Sequence, residues 1–180
     1  MFARFVAPVI LVLAISAPAW ATERGDLQIF QDVSQQVLRY SQFTIFDSIN
    51  ASVDNGVVTL TGKVTMPYKS QDIAKRAARI EGVLDVRNEI GVLPVSLFDD
   101  ELRLGIARAI YGNSNFWRYG AMVNPPIHII VENGRVILEG VVNSNVDRML
   151  ARSIASSFDA FSVTNNLKTD AEMTADLERL

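Results

Sequence analysis

The 180 residues contain no cysteine. That excludes disulfides, thiolate metal sites, a cysteine nucleophile and a lipid-modified cysteine anchor together. Histidine is almost as scarce, with His128 alone, so a metal centre would have to be built from carboxylates around a single imidazole, and none is expected. No Ser/His/Asp arrangement stands in a supporting motif, and no glycine-rich loop lies between a strand and a helix to cradle a phosphate. The chain thus reads as a non-enzyme without cofactor. Positive charge is not in excess either: 17 Lys+Arg stand against 20 Asp+Glu, a formal charge of −3, which gives no general attraction to nucleic acid. Finally, no apolar run reaches the about 20 residues a membrane-spanning helix requires.

The one extended apolar run lies at the start, from Phe5 to Ala17, preceded by Arg4 and followed by Ala19, Trp20 and Ala21. A positive residue, a short apolar core and a small-x-small site read as a secretory signal over residues 1–21, cleaved after Ala21. The expected product is a soluble exported protein without a transmembrane span, its formal charge lowered to −4 by the loss of Arg4.

What is present is a duplication. Residues 53–64 read VDNGVVTLTGKV and residues 131–142 read VENGRVILEGVV. Asn-Gly between apolar runs is the strongest short hairpin signal, because the two-residue turn needs φ > 0 at both central positions. Asn55-Gly56 and Asn133-Gly134 are therefore read as turns, and Gly62 and Gly140 as structural glycines where a helix lies close or a bulge forms.

A helical stripe of Leu27, Phe30, Val33, Val37 and Leu38 precedes the first hairpin; Pro67 opens a second helix with Ile73, Ala77 and Ile80 facing inward until Gly82. A third strand follows over 83–90. The second copy repeats this order, with Leu102, Ile106, Ala109 and Ile110 in its first helix and Val146, Leu150, Ile154 and Phe158 in its second. Ser96 and Ser144 (or Asn143) stand as helix caps. The fold class is α+β: two tandem αββαβ units over 26–93 and 98–168, each a three-stranded mixed sheet with both helices on one face, followed by a polar tail over 169–180. The last strand pairs parallel through a right-handed crossover.

These residues resemble a known family. The hairpin x-Asn-Gly-x-Val-x-Leu-x-Gly, the helix segments AKRAA (74–78) and ARSIA (151–155), and the closing strands LDVRNEI (84–90) and FSVTNNL (161–167) look like the BON domain of osmotically induced periplasmic proteins of Gram-negative bacteria. The resemblance implies an αββαβ fold, a periplasmic or outer-membrane-associated setting, binding to phospholipid surfaces under stress, and no catalytic residues.

The copies differ most over residues 111–126, a long loop carrying Phe116, Trp117, Arg118 and Tyr119. Aromatic rings beside an arginine suit the headgroup level of a bilayer, and the competing reading is that the rings cap the second core. Lys75, Arg76 and Arg79 in the first copy, with Lys69, and Arg148 and Arg152 in the second, give each second helix a basic outer side. These are the candidate contacts to anionic phospholipid or, alternatively, to an envelope protein. Asp99, Asp100 and Glu101 are accounted for by the dipole of the helix they open, and His128 is a structural or surface residue.

Overall fold

The computed structural model describes residues 25–177, so the signal-like residues 1–21 lie outside the described part. The first unit runs α1 (Asp26–Leu38), β1 (Ser48–Asp54), β2 (Val57–Val64), α2 (Pro67–Ala77), β3 (Asp85–Asn88) and β4 (Gly91–Val92). The second runs α3 (Leu97–Tyr111), a 3-10 turn over Ser114–Phe116, α4 (Trp117–Gly120), β5 (Ile127–Glu132), β6 (Arg135–Val142), α5 (Asn145–Ala155), β7 (Ser162–Asn165) and β8 (Lys168–Thr169), with α6 (Asp170–Leu177) behind it. In each sheet the hairpin is antiparallel, and the broken third strand pairs parallel to the hairpin's return strand. The αββαβ order and mixed sheets agree with the sequence reading.

Both Asn-Gly turns adopt the left-handed backbone, with φ of 50° at Asn55 and 51° at Asn133. The return strands alternate inward as expected: Val58, Leu60 and Val64, then Val136, Leu138 and Val142, are fully buried. Gly62 and Gly140 correct the sequence reading. Their φ values are 115° and 117°, and what approaches them is the carbonyl of the partner strand's entry, Ser48 and Pro126 respectively, and not a helix.

The third strand is interrupted in both copies by the asparagine that the copies share. Asn88 accepts from the Ile90 amide at 3.3 Å and donates to Ser70 Oγ at 3.0 Å; Asn165 accepts from Leu167 N at 3.3 Å and donates to the Arg148 carbonyl at 2.9 Å. The side chain thus satisfies groups that the break would orphan, and it ties the strand to the start of the second helix. Gly91 and Val92, beyond the strand expected over 83–90, are strand residues as well.

Helix stripes are rotated from the expected ones. Ile29, Val33 and Val37 are the buried residues of α1, while Leu27 and Leu38 are half-exposed. In the second helices the inward row is Lys69, Ile73, Ala77 in α2 and Asp147, Ala151, Ala155 in α5. Alanines let a helix sit close to the sheet, so the larger Val146 is turned out and is 72% exposed. Each row begins with a charged residue at the third position of its helix, and this hides the row from an apolar pattern.

Two acids at helix starts hold the hairpins. Asp26 accepts from the amides of Asn55 (2.8 Å) and Gly56 (2.9 Å), and Asp99 from those of Asn133 (2.9 Å) and Gly134 (2.7 Å). Helix dipole alone does not account for Asp99; its carboxylate is fully buried and acts as a clasp on the turn. Ser96 and Ser144 do cap α3 and α5, accepting from Asp99 N and Asp147 N at 3.2 and 3.1 Å. The tail forms α6, and Glu172 receives both Arg148 Nη1 and Thr169 N.

The units meet where the segment before β1 crosses β5. Ile129 N donates to the Ile45 carbonyl at 2.7 Å, Ile45 and Phe46 pack on the second core, and Lys63 pairs with Glu132 at 3.0 Å. His128 Nδ1 donates to the Asp47 carbonyl at 2.6 Å, its ring 5.2 Å from that of Phe43. Burial pulls the imidazole below its ordinary range, opposed by the Asp47 and Thr44 carbonyls and the nearby Asp47 and Glu139 carboxylates. The unfolded chain therefore takes up this proton at higher pH than the folded one. Stability is present above about pH 6.5 and is lost as pH falls through that value toward the depressed one. Thermal melts from pH 7.5 to 5 should show a falling Tm, and His128→Gln should flatten that part of the curve.

Candidate functional site

The residues singled out from sequence fall into three surroundings. Phe116 and Tyr119 are core residues, 0% and 3% exposed, their rings 5.8 Å apart. Their placement removes them from any surface contact and matches the capping alternative. Tyr119 does more than fill space. Its hydroxyl donates to Asp147 at 2.9 Å and accepts from Asn143 N at 2.9 Å, and burial raises its pKa, with the Asp147 carboxylate adding to the rise.

The same position in the first unit is filled by different chemistry. Lys69 and Asp147 both stand seven residues after the strand glycine. Lys69 is not on the outer side of α2 as the sequence suggested; it is buried, donating to Asp47 at 2.7 Å and to Thr65 Oγ1 at 2.8 Å. Asp47 also receives the amides and hydroxyls of Thr44 and Thr65 at 2.8 to 2.9 Å. Burial alone would raise its pKa, but the Lys69 ammonium and these donors outweigh burial and hold it below the ordinary carboxylate range.

Trp117 and Arg118 are the loop residues that face solvent. Trp117 is 69% exposed, and Arg118 reaches only to 3.8 Å from Asp147 while its face lies on the Tyr119 ring. At Asp147 α4 meets the first turns of α5 through Tyr119 and Arg118, and the loop after α4 runs on toward α1, where Asn124 donates to the Leu38 carbonyl at 3.2 Å. From them Trp117, Met122, Val123, Val146 and Met149 all stand exposed. Arg152 is exposed on α5, whereas Arg148 is occupied by Glu172 at 3.0 Å. Sequence reasoning missed Val146 and Met149 because it turned α5 inward at Val146. It could have found them from the Ala151 and Ala155 pair, since small residues mark a helix face against a sheet.

Lys75, Arg76 and Arg79 line a groove of about 580 Å³ between α1 and α2, joined by Arg39, which the sequence did not single out. The Arg76 guanidinium lies 4.8 Å over the Tyr40 ring, and Tyr40 donates its hydroxyl to Asp72 at 3.0 Å. Burial first, then this hydrogen bond and the Asp72 charge, push the Tyr40 pKa up to about 12. Among the described residues no group of three or more His, Cys, Asp or Glu is placed to hold a metal, and no helix is long and apolar enough to cross a membrane.

The BON domain model matches residues 25–94 and 120–171. Among solved structures the chain is similar to the C-terminal domain of CdsD, the structural protein of the type III secretion system of Chlamydia trachomatis. That likeness has 15% identity and a TM-score of 0.33, and covers 80% of this chain and 66% of the other, just under two thirds. A second CdsD structure is similar at 14% identity with a TM-score of 0.28, over 84% of this chain and 97% of that one. No curated protein matches the chain.

Proposed function

Because the chain belongs to the BON domain family, we propose that it is a non-enzymatic, envelope-associated binding protein that attaches reversibly to anionic phospholipid through the α4 end of its second unit. The observation that carries this reading is the exposure of Trp117, Met122, Val123, Val146 and Met149 on α4, the loop after it and the first turns of α5, elements that also present Arg118 and Arg152. An indole with a wet edge and flexible apolar side chains suits the interfacial layer, while each nearby cation adds about 1 kcal/mol at an anionic surface. The attachment is peripheral and the setting periplasmic.

Sedimentation with phosphatidylglycerol against phosphatidylcholine vesicles, at low and high salt, tests it. Binding should require the anionic lipid and weaken with salt, since exposed charges are screened. Trp117→Ala should lower vesicle affinity by about tenfold, the order expected when one interfacial aromatic is lost, and leave Tm unchanged because the indole supports no core. No sedimentation with either lipid at any salt would sink the lipid reading.

A second reading, a protein adaptor in the envelope, is favoured by another exposed apolar group at the second hairpin: Leu97, Phe98 and Phe161, the two phenylalanine rings 6.3 Å apart. Capture of an envelope protein in detergent, lost in Phe161→Ser but not in Trp117→Ala, would favour it.

A further inference from the structure

The two units close the space between their helices differently. In the second, the Phe158 ring lies against Gly105, where even a Cβ would come within 2.8 Å of it. Asp32 and Gly105 each stand six residues after the helix-opening aspartate, and Ile80 and Phe158 each stand 18 after the strand glycine. The first unit therefore has a carboxylate and a shorter side chain where the second has a filled seam, and the groove of about 580 Å³ between α1 and α2 stays open. That size lies within the range of small-molecule sites.

The lining is charged. Arg39, Lys75, Arg76 and Arg79 contribute four cations against Asp32, Asp72 and Glu81, a local excess of positive charge on a chain whose formal charge is −3. Arg39 precedes Tyr40 in the chain and Arg76 lies over its ring, where Asp72 is engaged by the Tyr40 hydroxyl, and Lys75 lines the same groove. Asp32 lies about two turns back along α1. The Arg76 guanidinium lies 4.8 Å over the Tyr40 ring, a contact that uses the face of the group and leaves its N–H donors for an oxyanion, which a guanidinium can take bidentately. Two guanidinium forks and an ammonium suit a doubly charged group better than a single carboxylate.

We infer that the groove between α1 and α2 is a binding site for a phosphate-bearing ligand, held by Arg39, Lys75 and Arg76. The site is separate from the α4 end and stands whether or not that end binds membrane. The phosphate can belong to a soluble phosphate ester or to a phospholipid headgroup.

Amide NMR titration of the full chain with glycerol 1-phosphate, at constant ionic strength held with chloride, tests the site. Saturable shifts should centre on Gln35, Gln36, Arg39 and Arg76, and Arg39→Gln and Arg76→Gln should each raise Kd at least tenfold. Arg39 is exposed, so its loss does not threaten folding. Asp32→Gly with Ile80→Phe, which copies the filled seam of the second unit, should abolish binding in a folded protein. Phosphatidylglycerol vesicles form the other arm. If the ester gives no shifts but Arg39→Gln lowers vesicle affinity tenfold in a Trp117→Ala background, the ligand is the headgroup. Unaltered affinity for both in all three variants, or shifts that merely track ionic strength with no variant effect on vesicles, would overturn the inference.

Discussion

Replacing Asp47 with alanine should cost about 3–5 kcal/mol, because it strands a buried cation. Lys69 is 4% exposed and would keep only the Thr65 hydroxyl as partner, while the Thr44 and Thr65 amides would lose their acceptor. For a domain of this size the loss corresponds to a Tm drop of more than about 12 °C. Lys69→Met should cost a comparable amount by leaving the carboxylate uncompensated. The double variant should cost clearly less than the sum, since removing both charges leaves neither stranded. Additive losses would show that the two side chains do not act as a pair. Asp47 also carries the carbonyl that receives His128, and the neighbouring Ile45 and Phe46 pack on the second core. Alanine keeps that carbonyl, but without the carboxylate the turn from Thr44 to Asp47 loses its tie to Thr65 and Lys69, so the contact between the units should loosen and unfolding should split into two transitions, visible by calorimetry. Acid should act in the same direction: the depressed Asp47 pKa means stability present above the ordinary carboxylate value and lost as pH falls through the folded one.

Gly140→Ala should destabilise the second unit by roughly 3–5 kcal/mol, the upper end for one added methyl group. Two costs combine. The backbone sits at φ 117°, which a side chain rarely adopts, and a Cβ there falls on the Pro126 carbonyl oxygen. Strain of this kind alone costs about 1–3 kcal/mol, and relieving the overlap would pull β5 away from β6. Gly25→Ala is the control, because nothing lies within 4 Å of a Cβ at that position. Equal melting temperatures for the two variants would mean that the strand entry yields freely.

The hairpins, the repeat order and the inward faces of β2 and β6 were legible because turn chemistry and period-two alternation are local. What escaped the sequence is non-local. Nothing near Asp47 announces Lys69 on a different element, and Lys69 itself reads as one more surface cation on a basic helix. Asp99 was assigned to its own helix although its carboxylate serves a turn 34 residues away; the signal available was that Asp26 opens the first helix as Asp99 opens the next but one. The candidate surface was half legible. Trp117 and Arg118 face solvent, while Phe116 and Tyr119 do not, because residues three apart in a helical turn share a side and only packing decides which side is inside. Arg39 caps the end of α1 and carries no signal of its own in the sequence, because the groove exists only once α1 and α2 lie together.

The exchange of partners at the third position of each second helix has a consequence for a chain that carries two similar units in tandem. Were α2 to settle on the second sheet and α5 on the first during folding, Asp147 would meet Asp47 in a site with no solvent exposure at the carboxylate. Lys69 would meanwhile lie against the Tyr119 hydroxyl with Arg118 nearby. Two like charges so placed disfavour the arrangement by several kcal/mol, and interchange between neighbouring repeats is a characteristic folding error. The opposite polarities of Lys69 and Asp147 thus act as a matching code by which each sheet accepts its own helix and rejects its sibling's.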